Sequence, residues 1–463
     1  MSLQSNALWP FAQYAAGLKY EDLPDDVVHV AKRCIIDWFA ATLPGCVLPP
    51  ATLLTAAYRD CIGRGGARLY PGGEQTDART AAFILGAASH TVEFDDIYRN
   101  AIYHPGVPVV SAAIAIAQAR GVGGRRLIEG VVAGYEVSNR IGRAVNPAHY
   151  EFWHTTGTVG TFGATAAASR ILGLGAEETF HALANAGTLA AGLQQAFRAD
   201  SMAKPLHGAH AAERGVALAL AAEQGVTGAP DILEGPRGFG NAMCLNGMAA
   251  KQPDWKEAAE TLGREFLILQ TTTKNHAACG HAHAAVDGVV AIARDHGLTP
   301  ADIKAIRVGS YQKAEEICGN NDPKTPYEAK FSLAYCCAAA LVWGSVRMAA
   351  FTEDRLYDPD LRALMAKVDL KTDPERQAAF PGKRSANVEI ETVDGRVFRH
   401  FSPTRKGDPD APLTDAELEE KYRELAAPVL GGDGADSLLA MLWDLDRTGN
   451  CRDLVAAPAQ AAQ

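Results

Sequence analysis

The sequence predicts a mainly α fold, in which a large all-helical domain carries an inserted, smaller α+β lid domain. Three observations predict it. Alanine is abundant while aromatic residues make up only 7% of the 463 positions, and small side chains let helix axes approach closely. Through the first 260 or so residues apolar side chains recur at helical spacing, without an alternating strand signal of comparable length. Beyond about residue 265 the texture changes, and Val388–Phe401 carries two alternating runs around an Asp-Gly pair.

The elements follow in order. In 27–42, Val27, Val30, Ala31, Cys34, Ile35, Trp38 and Ala41 make one helical stripe. Pro24 stands just before it, where a first turn accepts proline. Leu127, Val131, Tyr135, Ile141 and Val145 repeat the pattern in a second helix. Further alanine-rich helices are predicted over 77–90, 107–120, 158–173, 176–196 and 206–225. A helix over about 276–296 opens the second region, and 303–311 alternates like a strand. Asp394-Gly395 predicts a hairpin with a type I′ turn. Thr414 and Glu417 have the spacing of a capping box, so the closing stretch is helical again. The expected division is 1–264 plus 406–463 for the helical domain and 265–405 for the α+β domain. Ala456–Gln463 is a low-complexity tail, expected to fray.

Composition excludes several classes of function. A net charge of −10 argues against a nucleic-acid partner, whose backbone needs a basic face. No run approaches about 18 unbroken apolar residues, so no membrane span is predicted. The opening Met-Ser-Leu-Gln-Ser-Asn lacks the charge and apolar pattern of a signal peptide. Nine cysteines without a C-x-x-C pair fit a reduced, cytoplasmic chain. Gly63-Arg-Gly-Gly66 and Gly121-Val-Gly-Gly124 complete no dinucleotide fingerprint and read as turns. Cys336-Cys337 lies in an apolar run and reads as core.

Histidines mark where chemistry can sit. Eight of the 13 fall into four short segments, each at a break between helices: His90 with His104, His154, His207 with His210, and His276 with His281 and His283. Histidine titrates near neutrality and serves as acid or base. The competing account is that these residues cap helices or lie on a wet surface. Glu93, Asp95 and Asp96 form an acidic triplet that can orient a histidine, act as a base, or pair with an arginine such as Arg99. Lys204 can neutralise a substrate carboxylate. Pro205 disfavours a helical conformation for the residue before it, so Lys204 is expected just ahead of a helix spanning 206–222. Neither Lys204 nor His154 is expected to support the core. His281-x-His283 has the look of a metal pair, but i and i+2 on a helix face different ways. No third ligand follows from the spacing, and no metal is expected.

Taken in order, these segments resemble the MmgE/PrpD family, which includes 2-methylcitrate dehydratase, cis-aconitate decarboxylase and iminodisuccinate epimerase. The likeness is carried by His90-Thr-Val-Glu-Phe-Asp-Asp96 with His104-Pro105, by Trp153-His154-Thr-Thr-Gly-Thr, and by Ser201-Met-Ala-Lys-Pro-Leu-His-Gly-Ala-His. Glu234-Gly-Pro-Arg-Gly-Phe239, Glu328-Ala-Lys-Phe-Ser332 and Gly407-Asp-Pro-Asp-Ala-Pro-Leu-Thr414 add to it. The resemblance implies a homodimer, an active site where the two domains meet, and no metal, flavin or nicotinamide. It places Glu93, His104, His154 and Lys204 in the catalytic set. Asp96, His207, Lys274, Cys279 and Tyr335 make up the substrate-binding set. Members commonly carry Asp where Glu93 stands. The aconitate decarboxylases carry Thr at the position of Ile97 and His at that of Cys279, and their counterpart of the Ile97–Tyr103 loop is one residue shorter. These departures point away from decarboxylation of cis-aconitate.

The implied chemistry has a physical basis. The family's substrates carry two or three carboxylates and react at the carbon beside one of them. Removing that proton builds negative charge that needs cationic neighbours in a water-poor site. Lys204 and a protonated histidine supply it, a neutral histidine or Glu93 takes the proton, and a second histidine protonates a departing hydroxyl. The expected activity is a cofactor-free hydro-lyase acting on a small di- or tricarboxylate. An epimerase or decarboxylase with the same site is the alternative within enzymes. The alternative outside them is a helical dimer that binds a carboxylate without turning it over.

Overall fold

The computed structural model describes residues 2–198 and 201–455, so the expected tail Ala456–Gln463 lies outside the described residues. The fold is mainly α. The chain forms two compact units: one runs to Thr271 and resumes at Thr414, the other is Thr272–Leu413. Both boundaries fall after the expected 265 and 405. Segment 266–271 stays with the first unit because the N–H groups of Leu267 and Ile268 donate to the Glu136 carboxylate, at 3.0 and 2.8 Å. That carboxylate is fully buried against Arg140.

The first unit is built from α1 (Trp9–Gly17), α2 (Asp25–Cys46), α3 (Ala78–Thr91), α4 (Gly106–Arg120), α5 (Gly124–Val145), α6 (Thr155–Leu172), α7 (Ala176–Leu189) and α8 (Ala203–Glu223). α4 and α6 are buried on nearly every face, as expected of alanine-rich helices inside a layered body. The α8 backbone lies against both α3 and α6. A Cβ at Gly86 would meet Ala209 Cα at 2.8 Å, and one at Gly215 would meet Ala164 Cβ at 2.4 Å. Asp77 caps α3, accepting from the N–H groups of Arg79 and Thr80.

Two helix expectations need correction. The predicted 176–196 helix stops at Leu189. Gly192 then adopts φ +139°, and its carbonyl accepts the His154 N–H at 2.9 Å. A Cβ there would press on the His207 ring at 3.3 Å, so the break makes room for a histidine. The predicted 276–296 helix starts only at His283. Before it, the Ala277 and Cys279 N–H groups donate to the Val346 and Lys330 carbonyls, both at 2.9 Å. Those bonds to other segments replace a helical ladder.

In the second unit, α9 (His283–His296) and α10 (Leu333–Trp343) accompany a four-stranded sheet of β1 (Ile303–Ser310), β2 (Val368–Thr372), β3 (Ala386–Thr392) and β4 (Val397–Ser402), in the order β2-β1-β3-β4. β1 and β2 are parallel; the other pairs are antiparallel. α9 packs on β3, where a Cβ at Gly288 would meet Val388 Cγ2 at 2.7 Å. The β3–β4 hairpin is present with a different turn. Of the Asp-Gly pair only Gly395 has positive φ, +86°. The Gly395 N–H bonds to the Thr392 carbonyl, and the Thr392 N–H to the Arg396 carbonyl. This is a three-residue loop with glycine in the left-handed position, because a type I′ turn would need Asp394 there too.

The chain returns to the first unit through the Thr414–Glu417 capping box, which opens α11 (Asp415–Leu430) and leads to α12 (Gly432–Trp443). All nine cysteines are free thiols, and Cys336 and Cys337 are buried in α10. No single helix among the described residues is long and apolar enough to cross a membrane.

Candidate functional site

The segment joining α3 to α4 brings most of the first unit's candidates together. It holds Glu93 at φ +59° and Ile102 at φ +49°, the non-glycine residues with positive φ among those described. Each left-handed position costs on the order of 1–3 kcal/mol, a strain that surrounding contacts must maintain. Tyr98 and Tyr103 close the loop with two backbone hydrogen bonds. Lys421, from α11, braces it from the core side. Its Nζ donates to Asp37 Oδ1 at 2.6 Å and to the Phe94 carbonyl at 2.8 Å, and lies 4.1 Å from the Phe94 ring centre.

The three acids of this segment have different partners. Glu93 forms an ion pair with Lys204, and both are buried. Asp95 Oδ2 lies 2.9 Å from His90 Nδ1 and 2.8 Å from His104 Nδ1. Asp96 Oδ1 accepts the Gly106 N–H at 2.9 Å, and its Oδ2 accepts the Tyr135 hydroxyl at 2.7 Å. Burial pushes the Asp96 carboxyl up to about 7, against the opposing hydrogen bonds from Tyr135 and Gly106.

Two more histidines complete the cluster. His154 precedes α6, and its ring stacks on His90 with centres 5.7 Å apart and planes 8° from parallel. His154 Nδ1 lies 3.1 Å from His207 Nδ1, so one donates and the other accepts. The edge of Phe197 closes on His154 at 4.7 Å. Burial holds His154 well below its ordinary value, and His90, His207, Lys204 and His104 add repulsion. Burial likewise lowers His207 to about 4, helped by His90, His210 and Lys204. Both rings are therefore neutral at physiological pH, and one proton is shared along their hydrogen bond. His104 is the open member, with 16% of its side chain exposed.

His90, Asp95 and His104 also stand close enough together to suggest a metal ion. The donor chemistry is against it. His104 Nδ1 lies 2.9 Å from the Asp96 backbone carbonyl, which has no proton to give, so this nitrogen carries one and has no lone pair for an ion. The trio reads as a hydrogen-bonded group.

Residues 10–251 match the MmgE/PrpD N-terminal domain and residues 276–447 the MmgE/PrpD C-terminal domain. The chain belongs to the MmgE/PrpD family. Cis-aconitate decarboxylase of Homo sapiens is 29% identical over 458 residues, covering 95% of this chain and 92% of the relative. Cis-aconitate decarboxylase of Aspergillus terreus is 26% identical, covering 94% and 92%. 2-Methylcitrate dehydratase of Cupriavidus necator is 25% identical over 406 residues, covering 82% and 81%.

Of the candidate residues in this MmgE/PrpD chain, Glu93, Asp96, His104, His154, Lys204 and His207 lie in the first unit. Lys274, Cys279 and Tyr335 belong to the second. Lys274 is buried there, the Cys279 backbone is tied to Lys330, and the Tyr335 hydroxyl donates to the Ala350 carbonyl. Lys204 is not ahead of its helix but in the first turn of α8. Pro205 follows at a position whose N–H would have no helical acceptor, so the proline costs no hydrogen bond. The helical setting aims Lys204 at Glu93 rather than leaving it to solvent. His281 precedes α9 and His283 begins it, so the argument that placed both on one helix does not apply. His281 Nδ1 meets the Tyr311 hydroxyl at 2.8 Å, and His283 Nε2 donates to the Ala278 carbonyl at 3.0 Å.

The catalytic and substrate-binding sets omitted His90, Asp95, Tyr135 and Phe197, although His90 was among the candidate histidines and Asp95 in the triplet read as able to orient one. His90 and Asp95 stood in the motif, and their spacing of five across a helix end was the available signal. Tyr135 reads as one more apolar stripe residue of α5, and nothing in the sequence links it to Asp96.

Proposed function

We propose that this chain is a cofactor-independent lyase that acts on a small tricarboxylate by moving a proton at the carbon beside a carboxylate. One observation carries the reading. A neutral imidazole pair, His154 and His207, lies against two imidazoles backed by a carboxylate, His90 and His104, with the Lys204 ammonium next to them. A neutral imidazole can accept a proton, and a carboxylate-backed imidazole can hold and return one. In this reading His154 accepts the proton from carbon, and the electron pair spreads into the adjacent carboxylate. Lys204 shifts part of its attraction from Glu93 to that growing charge. His104, as imidazolium, protonates the hydroxyl, which leaves as water as the double bond forms.

Dehydration is the leading form, as the departures at Ile97 and Cys279 suggest. Decarboxylation is the second, favoured by the human and fungal decarboxylases among the relatives. There the C–C bond to one carboxylate breaks, carbon dioxide leaves, and His104 protonates the carbanion. A homodimer in the cytoplasm belongs to the same proposal.

The test is NMR of the purified chain in deuterated water, with 2-methylcitrate and cis-aconitate supplied separately. Dehydration converts 2-methylcitrate to an alkene tricarboxylate. Decarboxylation converts cis-aconitate to a dicarboxylate that carries one solvent deuterium on carbon. Absence of both turnover and deuterium exchange, here and across a panel of hydroxy- and imino-dicarboxylates, would overturn the enzyme reading and leave the carboxylate binder.

A further inference from the structure

We propose that Asp95 is a positioning residue that holds His90 and His104 in one tautomer, with Nδ1 protonated and the lone pair on Nε2. For the reaction served, the proposal rests on the lyase reading; for the tautomers it does not.

A single oxygen, Asp95 Oδ2, lies 2.9 Å from His90 Nδ1 and 2.8 Å from His104 Nδ1. A carboxylate oxygen accepts, so both nitrogens donate. At His104 a second acceptor gives the same answer, since Nδ1 also lies 2.9 Å from the Asp96 carbonyl. At His90 the opposite nitrogen, Nε2, is buried with no hydrogen-bond partner among the described residues. No described residue on that side of the ring competes for the tautomer. His90 is fully buried and Asp95 nearly so, which keeps water from offering the His90 ring an alternative; at His104, the open member, the two acceptors at Nδ1 fix the tautomer.

The arrangement also limits how many protons the trio stores. One carboxylate faces two imidazoles whose ring centres are 4.9 Å apart. A first extra proton, arriving at His104 Nε2, turns its Nδ1–H bond to Asp95 into a charge-assisted one. A second would place two imidazolium ions side by side. The other groups facing the pair are His154 ahead of α6, Lys204 and His207 on α8, and Glu93, which offsets Lys204. Asp96 turns its carboxylate away to Gly106 and Tyr135. Asp95 therefore serves His104 directly and keeps His90, stacked on His154, in the matching tautomer.

The test is nitrogen NMR of the full chain labelled at the histidine ring nitrogens, with signals assigned through His90→Gln and His104→Gln. At neutral pH both rings should show a protonated Nδ1 and an unprotonated Nε2. Asp95→Asn keeps the shape but replaces one acceptor oxygen by a donor. It should scramble the tautomer at His90. It should also lower kcat by roughly 100- to 10,000-fold, with KM within about threefold of native. The substrate is 2-methylcitrate or cis-aconitate, whichever the native chain turns over. A protonated Nε2 on either ring of the native chain would overturn the proposal, as would Asp95→Asn with kcat within about threefold of native. If the native chain turns over neither acid, the lyase reading fails while the native spectrum still decides the tautomers. The same spectrum decides them if Asp95→Asn does not fold.

Discussion

The two histidine clusters look alike along the chain and differ in what their nitrogens do. In the first unit, His90 and His104 share one carboxylate, His154 and His207 share one proton, and three ring-to-ring contacts link the four. In the second, each histidine has a partner of its own: His276 with Asp287 at 2.9 Å, His281 with Tyr311, and His283 with the Ala278 carbonyl. A histidine bonded to one fixed group anchors a fold. Histidines that share partners can pass a proton with small rearrangement. Histidine density alone does not separate the two cases; the sharing of acceptors does.

The largest expected effect tests that contrast directly. His154→Gln and His104→Gln should each lower kcat by about 100- to 10,000-fold, the usual range for a lost acid or base. His283→Gln should lower the melting temperature yet leave kcat within about threefold. Turnover by NMR alongside thermal melting checks both, and loss of turnover in His283→Gln alone would reverse the comparison.

Lys204 comes next. Because the ammonium is buried against Glu93, Lys204→Met should cost about 3–5 kcal/mol of stability by leaving the carboxylate buried without it. This departs from the expectation that Lys204 can be replaced without touching the core. The double variant Lys204→Met/Glu93→Gln should regain most of the stability. Its turnover should stay about 30- to 1,000-fold down, for a lost contact of about 2–4 kcal/mol in the transition state. Denaturant unfolding and kinetics on the same samples separate the two effects.

A smaller effect appears in the pH dependence of stability. His154 and His283 are held well below their ordinary 6.5, His207 to about 4 and His149 to about 3, each first by burial. Below pH 6.5 the unfolded chain binds protons these rings refuse, so their stabilisation is present above that pH and declines as pH falls toward 4. Asp96 works the other way. Raised from 3.8 to about 7, it contributes fully below pH 3.8 and loses that contribution as pH rises through 7. Four histidines against one aspartate should make stability rise from pH 4 to 6.5, and Asp96→Asn should steepen the rise. Denaturant midpoints across that range measure it. The smallest effect is expected from chelation: turnover should survive it, since His104 Nδ1 is protonated in the trio. Loss restored by added zinc or iron would turn the hydrogen-bonded group into a metal centre.

Much of the fold was legible because it rests on local physics. Stripes such as Val27–Ala41 place apolar side chains on one helical face whatever lies beyond, and Thr414 with Glu417 closes its own cap. The hairpin was legible for the same reason, while its turn type depended on whether Asp394 or only Gly395 took the left-handed conformation. The start of α9 was not legible. His276–Ala282 has helical composition, but the Ala277 and Cys279 N–H groups bond to residues 346 and 330, which no local window contains. In the site, Asp95 and Asp96 are adjacent and chemically identical. That one faces two imidazoles and the other Gly106 and Tyr135 follows from the packing of α4 and α5 around the loop.

The sequence by itself determined where most of the helices run and which short motifs carry titratable groups, because these depend on neighbours within a few positions. Tertiary structure decided the pairing of Glu93 with Lys204 across 111 positions, the sharing of Asp95 between two histidines, and the bracing of the loop by Lys421 from the far end of the chain. It also decided which imidazoles are neutral. Protonation depends on burial and on charges a few ångströms away, and folding brings those charges from segments that no local pattern connects.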